Sequence, residues 1–178
     1  MSWLLSRCLR LGLVAGWLAA AGSGAAAAPL APEDAQLKAA FLYRFAQFTQ
    51  WPPPPLREFT YCLAGQAGMR EAMQALALKA HEVGKVRMRY LTEPQQVGQC
   101  QLLLLGFSDR ADLQRWMEAA AAEPVLIVGE SALAFHDGAV IALVQEPNGL
   151  AFRINNTEAK RRGLVLSSQM LKLAREVR

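Results

Sequence analysis

The stretch Gln101-Leu102-Leu103-Leu104-Leu105-Gly106 decides the fold. Four consecutive leucines place apolar side chains on both faces of an extended chain, and Gly106 ends the run. A strand buried on both faces has this pattern, and such strands occur mainly in parallel sheets that helices cover on each side. A second run, Val125-Leu126-Ile127-Val128 before Gly129, repeats it. The two runs predict the centre of a parallel sheet.

Segments on either side of these runs alternate between strand-like and helix-like patterns. The step Asn148-Gly149 supplies the positive φ of a tight turn and predicts a hairpin. Expected helices are residues 33–50, 69–78, 108–122 (with Ser108 as N-cap), 157–162 and 168–177; expected strands are residues 59–64, 86–91, 102–105, 125–128, 139–144 and 150–154.

This order of elements indicates the fold class. Strands that alternate with helices form βαβ units, which build a mainly parallel sheet with helices on its faces. The late hairpin adds antiparallel strands at one edge. We therefore expect an α/β protein, a three-layer α/β/α sandwich with a mainly parallel sheet and an antiparallel edge hairpin.

The N-terminus has the three-part pattern of a secretory signal peptide. Arg7 and Arg10 precede an apolar stretch at residues 11–20, and a run of four alanines ends at Ala28. The alternative is an uncleaved membrane anchor, but the apolar core has only about ten residues where roughly 20 are needed to span a bilayer. We expect residues 1–28 to be removed by cleavage near Ala27 or Ala28, which leaves one periplasmic domain, residues 29–178, without membrane insertion.

The net charge limits the class of partner. The leader removes two of the 19 basic residues and none of the 15 acidic ones, so the mature chain carries a net charge of +2. A nucleic-acid-binding domain would show a dense basic patch instead. We expect no nucleic-acid partner.

Two cysteines, Cys62 and Cys100, remain after cleavage. In an oxidising compartment an even pair favours a disulfide. The alternative is a pair of buried thiols that pack as small apolar groups. His81 and His136 do not lie at ligand spacing to either cysteine, so we expect no metal and no cofactor.

Catalytic motifs are missing from the sequence. Ser131 does not lie in a G-x-S-x-G elbow, and the chain has neither a P-loop nor a G-x-G-x-x-G motif. We interpret the protein as a non-enzyme.

A ligand crevice is one possible site. Gly65-Gln66, Gly106 and Gly129-Glu130-Ser131 each come just after an expected parallel strand. Ligands of open α/β sheets bind in the crevice at the carboxyl ends of the strands. The alternative is that these glycines only end strands and let the chain turn.

Three segments together carry a resemblance to a known family. They are Ala40-Phe41-Leu42-Tyr43-Arg44-Phe45 followed by Trp51-Pro52; Phe59-Thr60-Tyr61-Cys62-Leu63-Ala64-Gly65 with Cys100; and a closing run from Phe152-Arg153-Ile154-Asn155 through Arg161-Arg162-Gly163-Leu164 and Ser167-Ser168 to Leu171-Lys172-Leu173-Ala174. In these segments the chain resembles the YfiR-like periplasmic repressor family, and the similarity covers nearly the whole mature chain.

The resemblance implies a soluble periplasmic protein that restrains an inner-membrane diguanylate cyclase by binding its periplasmic domain. Repression would lower cyclic di-GMP and biofilm formation, and the relatives suggest a homodimer. An alternative is a small-molecule-binding sensor that acts on a different membrane receptor. The family's type member has a second disulfide nearer the C-terminus, whereas this chain has no cysteine after Cys100.

The expected partner-binding surface is the basic turn Arg161-Arg162 with nearby Arg153, because charges crowded on a short exposed helix favour recognition. The alternative is an ordinary solvated face.

Overall fold

The computed structural model describes residues 32–65, 67–79 and 84–178, so the expected signal peptide, Gln66 and His81 lie outside the described residues. The helices are α1 (Pro32–Gln47), α2 (Arg70–Leu76), α3 (Arg110–Ala119), α4 (Ala132–His136), α5 (Asn156–Arg161) and α6 (Ser168–Leu173). The strands are β1 (Thr49–Gln50), β2 (Glu58–Ala64), β3 (Lys85–Tyr90), β4 (Leu102–Leu105), β5 (Leu126–Gly129), β6 (Ile141–Glu146), β7 (Gly149–Ile154), β8 (Val165–Leu166) and β9 (Glu176–Val177).

Seven of these strands form one sheet in the order β3-β2-β4-β5-β6-β7-β9. The first five are mutually parallel, β7 runs antiparallel to β6, and β9 pairs parallel with β7. Within this sheet the first strand along the chain is β2. The chain then forms the edge strand β3 and returns to form β4 on the other side of β2. This reversal places the topological switch point between β2 and β4.

The core consists of two clusters, one on each face of this sheet. All four leucines of β4 are fully buried. Leu102 and Leu104 pack with helices α1 and α2, whereas Leu103 and Leu105 pack with α3 and α4. The sheet is therefore a middle layer between helices, and the expected three-layer α/β/α architecture is confirmed.

The first helix is shorter than the apolar pattern predicted. It ends at Gln47 rather than at residue 50, and Thr49–Gln50 pairs antiparallel with Val165–Leu166. Pairing with Val165–Leu166 requires extended backbone at Thr49–Gln50, and Pro52 disfavours helical backbone at Trp51, so the helix cannot continue to residue 50. The Thr49 hydroxyl also donates to the Phe45 carbonyl at 2.7 Å, which satisfies one of the last carbonyls of the helix.

Other helix boundaries also differ from the sequence prediction, most of them by one to three residues. The N-cap of α3 is Asp109 rather than Ser108, because its carboxylate accepts the Asp112 N–H at 3.1 Å. The last helix ends at Leu173 rather than at residue 177. After it, the Arg175 N–H donates to the Phe152 carbonyl at 2.9 Å, so the final residues form strand β9 on β7.

Helix α4 follows β5 without a long connection and was not predicted. The close approach of α4 to the end of β5 requires a glycine at position 129, because a Cβ there would lie 2.2 Å from the Ala134 Cβ. The Ser131 hydroxyl caps the helix by accepting the Ala134 N–H at 3.1 Å. A single turn of helix has little periodicity, which explains why the sequence pattern missed it.

We predict that Gly129→Ala lowers the free energy of unfolding by about 1–3 kcal/mol, since the added methyl overpacks the contact with α4. Ala134→Gly alone removes the opposing methyl and costs about 1 kcal/mol of helix propensity. The double variant should lose less than the sum of the two losses, because each change makes room for the other. Urea denaturation of the four proteins measures this coupling, and strictly additive losses would contradict the close contact.

Candidate functional site

The switch point between β2 and β4 is filled by an aromatic side chain of the protein itself. Gly65 and Gly106 follow these two strands, and the Gly106 N–H donates to the Ala64 carbonyl at 2.9 Å. A Cβ at Gly65, whose φ is +83°, would lie 2.7 Å from the Phe107 ring. That ring stacks on buried Trp116 at 5.7 Å between centroids. Phe107 therefore covers this part of the expected crevice.

The remaining described crevice residues also have structural partners. Gly129 admits α4, and the Ser131 hydroxyl caps that helix. The Glu130 carboxylate forms an ion pair with the Lys38 ammonium at 2.5 Å, and both side chains are largely buried. This pair ties α1 to the carboxyl edge of the sheet. The structure brings the described crevice residues to one edge, and a ligand role for them stays a prediction.

The expected partner-binding arginines have different surroundings. Arg162 is only 7% exposed and donates to the Ala120 carbonyl at 2.5 Å and the Glu123 carbonyl at 3.2 Å. Arg161 donates to the Ala121 carbonyl at 3.0 Å. These carbonyls lie in the turn that follows α3, where the last helical C=O groups lack partners within the helix. The expectation that Arg162 lies on an exposed helix face is wrong.

Glu158 links the two arginines from within α5. Its carboxylate accepts from Arg161 at 2.6 Å and from Arg162 at 2.8 Å. Burial acts to raise the pKa of Glu158, but the hydrogen bonds and charges of the two arginines hold that pKa below its ordinary value. Burial also lowers the pKa of Arg162, against the opposing effect of Glu158. Glu158, Arg161 and Arg162 thus form a charged, hydrogen-bonded cluster that joins α5 to the turn after α3. We call this cluster the α5 anchor.

Arg153, the third expected partner-binding residue, has a partner outside that anchor. Its side chain is about one-third exposed on β7, and it reaches the Glu176 carboxylate of β9 at 3.6 Å. Arg153 therefore pairs with a different carboxylate from Arg161 and Arg162, which share Glu158. A binding role for Arg153 and Arg161 stays a prediction.

The two cysteines form a disulfide between β2 and Cys100, which lies two residues before β4. Their Cα atoms are 5.9 Å apart, and both residues are buried. Beside the bridge, the Thr60 N–H donates to the Gln101 side chain at 2.7 Å, and the Gln101 N–H donates to the Thr60 carbonyl at 3.0 Å. The bridge that the sequence favoured thus fastens the 3₁₀ segment Pro94–Gln99 to the sheet.

Sequence reasoning missed a groove of about 610 Å³ between α1 and α2. Alanines from both helices form much of its wall, and Glu71 and Lys79 also line it. The spacing of alanines in these helices was the available signal, but it equally describes an ordinary helix contact.

In the described part of the chain, no group of histidine, cysteine and carboxylate side chains could hold a metal ion. Over the same residues, no helix has the length and apolarity needed to cross a membrane.

We predict that Arg162→Ala lowers the free energy of unfolding by about 3 kcal/mol, because Glu158 and two carbonyls lose a buried donor. The matched control is the neighbouring Arg161→Ala, which removes an exposed charge and should cost at most about 1 kcal/mol. Chemical denaturation of both variants measures the difference. Equal losses would show that Arg162 is no anchor.

We also predict that Cys62→Ala/Cys100→Ala lowers the free energy of unfolding by about 4 kcal/mol, since the bridge closes a loop with a sequence separation of 38. Wild-type protein that is unfolded, reduced and refolded in reductant should match this variant. Both sulfurs are buried, so folded wild-type protein should resist the same reductant. Unfolding of the double variant at an unchanged denaturant concentration would exclude a stabilising bridge.

Comparison with solved structures shows the same fold in distant proteins. A conserved domain protein from Vibrio cholerae O1 biovar El Tor superposes with a TM-score of 0.57 at 11% identity, over 81% of this chain and 60% of that one. The ABC domain from Streptococcus pneumonia, solved in complex with L-Trp, gives a TM-score of 0.53 at 9% identity, over 82% and 60%. The chain thus spans three-fifths of the length of each. At these identities the likeness concerns the fold alone.

Comparison with curated proteins gives no match. The model of the YfiR/HmsC-like family matches residues 35–175, which includes the disulfide, the switch point and the α5 anchor. A match over this much of the chain establishes the relationship: the protein belongs to the YfiR/HmsC-like family.

Proposed function

We propose that this protein is a periplasmic regulator that restrains an inner-membrane diguanylate cyclase by binding the cyclase's periplasmic domain. The observation that supports the proposal is the family match across residues 35–175, because this is a family of periplasmic regulatory domains. The consequence of restraint is a lower level of cyclic di-GMP and less biofilm.

The site geometry agrees with a binding role. Residues of the expected ligand crevice have structural contacts: Ser131 caps α4, Glu130 pairs with Lys38, and Gly65 lies against the Phe107 ring. A scaffold fixed in this way presents its outer surface in one conformation. A preformed surface binds with a smaller loss of conformational entropy than a mobile one.

Restraint of an enzyme by binding has a thermodynamic requirement. The regulator must bind the inactive state of the cyclase more tightly than the active state, because equal affinity for both shifts nothing. A shift from mostly active to mostly inactive enzyme needs a difference in affinity of about 10⁴-fold. The disulfide contributes by keeping the binding-competent fold populated, so loss of the Cys62–Cys100 bridge relieves restraint by lowering the fraction of folded protein.

A deletion strain tests the function. We predict that removing the gene raises intracellular cyclic di-GMP and biofilm mass, and that the wild-type gene supplied in trans restores both. Mass spectrometry of nucleotide extracts measures the cyclic di-GMP. Deleting the partner cyclase in the same strain should abolish the increase. Unchanged cyclic di-GMP after deletion would contradict the proposal.

A further inference from the structure

One of the two edge strands of the sheet, β3, carries a stripe of cations on one face. Lys85, Arg87 and Arg89 alternate with Val86, Met88 and Tyr90, and the three cations are exposed while the other three residues are half-buried. We call Lys85, Arg87 and Arg89 the basic edge. The Lys85 side chain is 65% exposed and the Arg87 side chain is 46% exposed, so these charges lie at the solvent boundary.

The basic edge keeps an excess of positive charge. Glu58 on the neighbouring strand forms an ion pair with Arg87 and lies 3.6 Å from the Lys85 ammonium. Among the described residues, no other carboxylate contacts the stripe, and Arg89 has no charged partner there. One carboxylate is therefore shared between two cations while the third is open to an outside anion.

The backbone of β3 also has one open side, because the strand ends the sheet. The Leu91 N–H, just beyond β3, donates inward to the Leu63 carbonyl at 2.9 Å. Backbone groups of alternate residues point to the same side of a strand. The N–H and C=O groups of Val86, Met88 and Tyr90 therefore point away from β2, towards the open side.

The strand is held in place from its other face. The Tyr90 hydroxyl donates to the Arg70 carbonyl at 2.9 Å, and the Arg70 guanidinium lies 4.2 Å from the centre of the Tyr90 ring. Val86 and Met88 pack against the cluster beneath α1 and α2. The open backbone groups and the cations beside them are thus presented by a fixed strand.

We propose that the basic edge binds an extended acidic segment of a partner protein, which adds to the sheet as a strand beside β3. The added strand would pair with the outward backbone groups of Val86, Met88 and Tyr90, and its carboxylates would contact Lys85 and Arg89. The proposal deepens the proposed function and rests on it only for the identity of the partner, the periplasmic part of the cyclase.

The same charges select against other occupants of the edge. A second copy of β3 would bring its own cations against Lys85, Arg87 and Arg89, and like charges on paired strands are destabilising. The opposite edge of the sheet is β9, with only two residues, Glu176–Val177, and it offers few backbone groups for pairing. An anionic membrane would attract the cations but would leave the open backbone N–H and C=O groups without a paired strand.

A binding assay on the purified mature domain tests the surface directly. The probe is a fluorescein-labelled peptide of alternating glutamate and valine, and the readout is fluorescence anisotropy. We predict binding that weakens at least about tenfold in Lys85→Glu/Arg89→Glu, a variant that keeps the Arg87–Glu58 pair. The matched control, Lys160→Glu/Lys172→Glu, changes the net charge equally at exposed lysines on α5 and α6 and should bind like the wild type.

Hydrogen exchange separates strand addition from simple charge attraction. Bound peptide should slow amide exchange at Val86, Met88 and Tyr90, whose N–H groups point outward. Equal weakening in both double variants, or binding without this protection, would overturn the proposal. Binding of the basic edge to phosphatidylglycerol vesicles but not to the peptide would also overturn it, in favour of a membrane surface.

The deletion strain separates this surface from the proposed function. If the protein restrains a cyclase through the basic edge, Lys85→Glu/Arg89→Glu should fail to lower cyclic di-GMP, while the control variant restores it at equal protein level. Full complementation by Lys85→Glu/Arg89→Glu would reject the basic edge as the regulatory surface and leave the proposed function standing. If deletion has no effect on cyclic di-GMP but the peptide binds as predicted, the proposed function fails and the surface stands.

Discussion

Burial of the central strands on both faces is the constraint on which the rest of the structure depends. The side chains of Leu102–Leu105 alternate between two clusters, so neither face of the sheet can meet water without exposing leucines. Helices must therefore cover both faces, and the chain must cross the sheet to supply them. Only the two edges and the ends of the strands remain accessible. These are the places where polar chemistry can lie.

That constraint determines how the strand ends are used. Helices that lie close to a buried sheet need short connections, and short connections bring helix and strand backbones together. Gly129 admits α4 because it lacks a Cβ, and Ser131 then caps the helix that follows. At the switch point the bare backbone of Gly65 is covered by the Phe107 ring. Gly65 and Gly129 thus both permit close packing, and a ligand role for the crevice residues stays a prediction.

The parts of the fold set by local patterns were predictable, and the parts set by contacts between distant segments were not. Continuous apolar runs identified β4 and β5, and the Asn148-Gly149 turn identified the hairpin. Strand β9 depends on backbone hydrogen bonds to β7, and β1 depends on pairing with β8, so neither has a signature in its own residues. The cysteine pair was predictable because an even number of cysteines favours a disulfide in an oxidising compartment. The burial of Arg162 was not, since the carbonyls it binds lie about forty residues earlier in the chain.

The arginines show how environment rather than residue type sets the role of a charge. Arg161 and Arg162 lie beside the turn that follows α3 and donate to its carbonyls, and Arg162 is buried there while Arg161 stays exposed. Arg89 lies on the edge strand β3, where its side chain is exposed at the solvent boundary. In the sequence, the doublet Arg161-Arg162 favours a binding surface, whereas the alternating cations of β3 are typical of an ordinary solvent-exposed strand face. In this fold Arg162 is buried in an internal contact, whereas the cations of the basic edge are exposed, and exposure is the property that recognition of another protein requires.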